Sequence, residues 1–212
     1  MITRAPRTRL GKVLALCLVV AGGVLARQAA AVPMSPQASV RSFYDVLLTT
    51  MKNGPELGQS GRYATLAPVV HDVFDVPFMT RLAVGPYWIN LTQTQQQQLI
   101  DAFGRYVSAT YAYRFDSYSG QQLEITGDQP YGGEVIVKTR IVQSGTDPVT
   151  LNYLMRQNGE SWQISDVYLD GTISQLATQR SEFQSILRRK GVAGLIGALN
   201  HKVDLLTSGP AE

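Results

Sequence analysis

The sequence predicts an α+β fold: one curved antiparallel sheet of about four strands, wrapped by five or more helices. Three observations carry that prediction. Up to about Phe115, apolar residues recur at three and four positions, the period of helices packed by one face. After Tyr118 the period drops to two, beginning with Leu123 and Ile125, and turn residues cut the pattern into short runs. Beyond Gly171 the helical period returns. No internal repeat or linker divides the chain, so residues 32–212 are expected to form a single domain.

The first 31 residues read as a secretory signal peptide. Arg4, Arg7, Arg9 and Lys12 make a positive start. Val13 to Ala26 is an apolar run too short and too glycine-broken to span a bilayer, and Ala29 and Ala31 give an A-x-A cleavage site. The mature chain is expected to begin near Val32. Cys17, the only cysteine, lies inside the leader and follows Leu16, where a lipidation site carries a small residue. The mature chain then has no disulfide, thiolate metal site or cysteine nucleophile. Loss of the leader removes Arg4, Arg7, Arg9, Lys12 and Arg27 but no acid, taking the net charge from +3 to −2. The basic pI belongs to the leader, and with it goes the electrostatic case for nucleic acid. The roughly 180 residues that remain suffice for one domain burying about 70% of its unfolded surface.

Ser35-Pro36 opens the first helix, with Ser as cap and Pro in the first turn. Val40, Phe43, Tyr44, Leu47, Leu48 and Met51 form its apolar stripe, and Gly54-Pro55 stops it. Arg62 to Leu82 is expected as shorter helical pieces separated at Pro68 and Pro77. Thr92 then caps a long helix through about Phe115. Its buried edge is Leu99, Phe103, Tyr106, Thr110 and Tyr111, and Gln93 and Gln95 to Gln98 are its solvated first turns.

The strands follow as Leu123-Ile125, Glu134 to Val142, Val149 to Arg156 and Trp162 to Leu169. Gly132-Gly133, Gly145 to Pro148 and Asn158-Gly159 punctuate them, and Asn-Gly between strands marks a hairpin. Two strands are apolar on both sides. Val135, Val137 and Ile141 point one way, Ile136 and Val142 the other; Leu151, Tyr153 and Met155 oppose Leu154. A sheet with one face in water alternates more cleanly, so cover or a ligand is expected on much of both faces. The last strand turns at Asp170-Gly171. Thr172 with Gln175 reads as a helix cap, followed by Leu176, Arg180, Phe183 and Leu187. Gly191 has the place of a left-handed cap, and a second helix presents Val192, Leu195, Ile196, Leu199, Val203 and Leu206.

These C-terminal residues also carry a resemblance. W-x-I-x-D-V (Trp162, Ile164, Asp166, Val167), then Gly171, then R-x-x-F (Arg180, Phe183) is similar to the C-terminal signature of the MlaC family, also called the toluene-tolerance family. F-D-x-x-x-M (Phe74, Asp75, Met79), with Gly85 and Trp88 after it, resembles the middle of that family. The stretch YLDGTISQLATQRSEFQSILRR looks most like its hopanoid-biosynthesis branch, HpnM. The resemblance implies an NTF2-like sheet with a helical elaboration. It further implies a periplasmic carrier that passes phospholipid between an outer-membrane lipid complex and an inner-membrane ABC transporter, with hopanoid as an alternative cargo.

Signs of catalysis are sparse. His71 and His201 lack metal-ligand spacing, and there is no nucleophile elbow, P-loop or dinucleotide fingerprint. No cofactor or metal is expected, and the chain does not read as an enzyme. Asp166 has two readings. It can pair with a buried Arg, such as Arg180 or Arg140, to join strand to helix, or sit in an apolar pocket as the base of an NTF2-like isomerase or hydratase on a polycyclic lipid. The structural pair is favoured. A lipid-free adaptor is a third reading. Under the carrier reading, the expected lipid contacts are Val137, Ile141, Leu151, Tyr153, Trp162 and Ile164 from the sheet. Phe74, Met79, Phe103, Tyr106, Tyr111, Leu176 and Phe183 supply the rest from the helices.

Overall fold

The computed structural model describes Met1 and residues 34–208; the expected leader and its cleavage site near Ala31 lie outside the described residues. Helix α1 (Pro36–Lys52) begins as its sequence dictates, with the Ser35 side chain accepting the Ala38 N–H and Pro36 in the first turn. Helix α2 (Gly54–Val73) follows at once. Pro68 does not divide it, contrary to expectation. The carbonyl that loses its partner belongs to Ala64, on the exposed side, where water can replace the missing N–H. The break falls instead at Gly58, whose φ of 60° and ψ of −177° are open essentially to glycine alone.

Phe74 leaves the helix in extended conformation and bridges to Ile164 of the sheet. Asp75 then caps α3 (Val76–Val84) by accepting the Phe78 N–H. A 3₁₀ turn (Gly85–Asn90) leads to α4 (Gln93–Arg114). There Thr92 and Gln95 satisfy each other's backbone N–H in a reciprocal cap.

The sheet is a meander of five antiparallel strands in sequence order: β1 (Gln122–Tyr131), β2 (Glu134–Val142), β3 (Val149–Asn158), β4 (Ser161–Leu169) and the two-residue β5 (Ile173–Ser174). Register shifts at Ile125/Gly127 and at Leu154/Met155 bend it. The helices cover one face. Val137, Tyr153, Met155, Ile164 and Val167 join Phe43, Leu47, Phe74, Leu99, Phe103 and Phe183 in a single core. The expected cover on both faces is therefore found on one. The other face carries Lys138 and Arg140 in water, and its apolar Ile136 and Leu154 satisfy each other as cross-strand partners.

Helix α5 (Gln175–Thr207) starts later than its sequence indicates. Ile173 and Ser174 are drawn into the sheet opposite Leu169 and Tyr168, so the cap is Ser174, accepting the Ala177 N–H, rather than Thr172. Gly191 breaks α5 with φ 64° and ψ −167°. The second limb folds back, tied by Lys202 to Glu182 at 2.6 Å and by Arg105 to Asn200 at 2.9 Å.

Candidate functional site

Between the covered sheet face and helices α4 and α5 lies a cavity of about 400 Å³. One wall is sheet: Ile141, Val149, Leu151, Val167 and Leu169. The opposite wall is α4, presenting Phe103, Tyr106, Val107, Thr110 and Tyr111 at three- and four-residue steps. Met51, Phe74, Met79 and Leu176 close it. A cavity of this size lined by aromatic and aliphatic side chains is the usual form of a small-molecule site.

Its rim is polar. Arg114, Asp116 and Ser117 come from the end of α4 and the residues after it, joined by Gln121 and Gln143, whose amides lie 3.3 Å apart. Gln175 and Gln179 come from the first turns of α5. Arg62 holds the α4 end of this rim in place. It is nearly buried and donates to the Ala112 carbonyl at 3.0 Å, the Gly54 carbonyl at 2.9 Å and the Gln59 side chain at 2.5 Å. Gly54 itself packs so closely that a Cβ there would run into the Asp116 carbonyl.

Of the thirteen residues expected around a lipid, the structure brings Phe74, Met79, Phe103, Tyr106, Tyr111, Ile141, Leu151 and Leu176 to the cavity. Val137, Tyr153, Trp162, Ile164 and Phe183 do not line it. Val137 and Tyr153 share the covered sheet face with the lining strands, but α1 lies over Tyr153, with Phe43 and Tyr44 rings 6.5 and 5.8 Å from its own. Ile164 is sealed under Phe74, and Phe183 backs Phe103 edge-on at 5.4 Å. Trp162 lies at the far end of β4, opposite Gln157. These five support the wall from behind.

Sequence reasoning missed the whole polar rim and, from the wall itself, Met51, Val107, Thr110, Val149, Val167 and Leu169. The available signal was the cluster of charged and hydroxyl residues directly after an aromatic-rich helix, Arg114 to Ser117. Two buried phenols, Tyr44 and Tyr153, lie behind the wall, and a third, Tyr111, stands in it. Tyr44 bonds Thr139 at 2.6 Å, and burial pushes Tyr44, Tyr111 and Tyr153 above the ordinary tyrosine value, so this part of the interior is uncharged at neutral pH.

Asp166 is the one buried carboxylate of the wall. It does not pair with Arg180 or Arg140; Arg140 pairs with Glu124 at 2.6 Å across the open face of the sheet. Asp166 and Val167 both line the cavity, just past the register shift that leaves Ser165 unpaired in β4. The Asp166 Oδ1 accepts the Val167 N–H at 2.7 Å and the Leu176 N–H at 3.0 Å, and its Oδ2 accepts the Ser174 hydroxyl at 2.5 Å. The strand-to-helix joint is real, but it is made with the start of α5, whose free N–H groups supply what an arginine would have. Burial raises the Asp166 pKa, against the opposing pull of these three bonds.

The pattern of the MlaC protein family matches residues 41–201, spanning every element of the wall and rim. This chain belongs to the MlaC family. A solved structure from Ralstonia solanacearum, described as a phospholipid-binding protein in complex with a phospholipid, matches this member with a TM-score of 0.69. The two are 26% identical, and the match covers 81% of this chain and 98% of the Ralstonia chain.

Proposed function

We propose that this MlaC-family protein is a periplasmic lipid carrier that shelters the acyl chains of a phospholipid in the cavity between sheet and helices. The observation that carries the reading is the cavity itself, apolar along its length and polar at its rim. Each methylene withdrawn from water contributes about 0.8 kcal/mol, so a sixteen-carbon chain represents on the order of 10 kcal/mol before losses. A lipid does not cross an aqueous space unaided against that cost; an enclosed apolar wall with an open polar end removes it. The phospholipid-bound Ralstonia relative supports the same assignment. No helix among the described residues is long and apolar enough to cross a membrane, which fits a protein that moves between membranes.

The remaining parts of the reading rest on the sequence and the family. Residues 1–31 direct export and are cleaved near Ala31. Loading and delivery involve an outer-membrane lipid complex and an inner-membrane ABC transporter. The likeness to the HpnM branch makes a hopanoid the alternative cargo. A carrier is favoured over an isomerase because the Asp166 carboxylate is already engaged by three donors that fix the start of α5.

The test is native mass spectrometry of the mature protein, purified without detergent from its own periplasm, followed by lipid extraction. A phospholipid at near-unit stoichiometry supports the carrier reading, and a hopanoid mass would change the cargo. A protein that is always empty would leave the adaptor and isomerase readings in its place.

A further inference from the structure

Charge is divided unevenly along this chain. Residues 76–100 and 175–190 hold five cations, Arg81, Arg180, Arg188, Arg189 and Lys190, against one acid, Glu182, which Lys202 already bonds at 2.6 Å. The rest of residues 32–212 holds nine cations and fifteen acids. The fold brings the two basic segments together. Gly85, at φ 64°, ends α3 and turns the chain into Pro86-Tyr87-Trp88-Ile89. It lies so close to α5 that a Cβ there would meet the Gln184 amide nitrogen at 2.8 Å and the Arg180 guanidinium at 3.6 Å. Arg188 stands one turn beyond Gln184 on α5. Arg81, Arg180 and Arg188 are exposed and make no ion pair among the described residues.

An apolar tip stands beside these cations. Ile89 is 83% exposed, and Leu82, in the last turn of α3, is exposed as well. Tyr87 and Trp88 are half-buried, and Gln96 ties the Trp88 carbonyl to α4 at 3.2 Å. The turn is thus fixed from behind while Ile89 projects into solvent. An aliphatic tip with Trp and Tyr at its base and unpaired arginines beside it suits the boundary of a bilayer. There the tip enters the acyl region, the rings sit at head-group depth and the cations meet lipid anions. We propose that this face, centred on Ile89 with Arg81 and Arg180, docks the protein on the surface of an anionic lipid bilayer. The face adjoins the cavity, which Met79 lines two residues before Arg81 and Gln179 one residue before Arg180. A docked protein therefore holds its cavity close to the bilayer. The inference goes beyond the carrier reading and is independent of it, since docking needs no lipid in the cavity.

The test is cosedimentation of the mature protein with protein-free vesicles, of phosphatidylcholine alone or mixed with an equal part of phosphatidylglycerol. The protein should bind the mixed vesicles, more weakly as salt is added, and bind phosphatidylcholine poorly. Ile89→Asp should weaken binding about 10-fold or more, because an aliphatic side chain no longer enters the bilayer. Arg81→Gln and Arg180→Gln should each weaken it about 5-fold. Tyr131→Asp makes the same change of charge at a 52%-exposed position of the β1–β2 hairpin and should bind like the wild type. Thermal melting, expected to be unchanged because all these side chains are exposed, separates loss of docking from loss of fold. Equal binding to both kinds of vesicle overturns the proposal, as does equal binding by Ile89→Asp and Tyr131→Asp. Failure of the wild type to bind either vesicle also overturns it and leaves the face to a protein partner.

Discussion

Asp166 offers the sharpest test of how this cavity is built. Replacing it with Ala removes the acceptor for the Leu176 N–H, and Leu176 is only 7% exposed, so water cannot take over. A buried N–H left unpaired costs about 1–3 kcal/mol, and loss of the Ser174 tie adds about 1 kcal/mol. The expected penalty is about 3 kcal/mol, a fall in Tm of about 6–12 °C for a domain of this size. Asn at the same position keeps a carbonyl oxygen for the two backbone N–H groups, and the Ser174 hydroxyl can turn to accept from the amide. Asp166→Asn should therefore stay within about 1 kcal/mol of wild type.

The two states of the carboxyl sharpen the comparison. Because burial raises its pKa in the folded protein, the folded state binds this proton more readily than the unfolded chain. The group's contribution is fully present below the unfolded value and is lost as pH rises through the folded one. Asn has no such loss, so its stability relative to wild type should improve as pH rises through the carboxylate range. Urea unfolding of the three proteins at several pH values measures this directly. If Asn destabilises as much as Ala at every pH, the joint depends on the charge and not on acceptor geometry, and the account given for α5 is wrong.

Leu151→Arg should abolish lipid loading with little change in unfolding midpoint, since Leu151 faces the cavity, and native mass spectrometry with thermal melting checks both. Val137→Arg should instead yield no folded protein, because Val137 has no exposure and no cavity beside it; a folded, lipid-free Val137→Arg would contradict that placement. Arg62→Leu leaves the Ala112 and Gly54 carbonyls without their donor and should cost about 3 kcal/mol in urea unfolding, with weaker lipid retention because the rim residues follow directly. Gly191→Ala forces a β-carbon into a glycine-only conformation and should cost about 1–3 kcal/mol; an unchanged melting curve would show that α5 tolerates a different break.

The sequence by itself determined whatever depends on near neighbours. Ser35-Pro36, the Thr92–Gln95 cap, the change of period after Tyr118, the Asn158-Gly159 turn and the break at Gly191 are each set by residues within a turn or a strand of one another. That is enough to give the α+β class, the order of the strands and the α4 edge that faces the cavity. Tertiary structure decided three things that local pattern cannot carry. The first is which inward positions are open: alternation puts Val137 and Tyr153 on the same face as Leu151, but only the approach of α1 covers Tyr153. One contact of that approach, Tyr44 to Thr139, links residues 95 positions apart. The second is the partner of Asp166. An arginine in the sequence announces itself, whereas the N–H groups at the start of a helix appear only once the helix is placed. The third is where α5 begins, because pairing with β4 holds Ile173 and Ser174 in the sheet against their own capping pattern. In each case long-range packing supplied or withheld a neighbour, and with it the energy that chose between two locally acceptable arrangements.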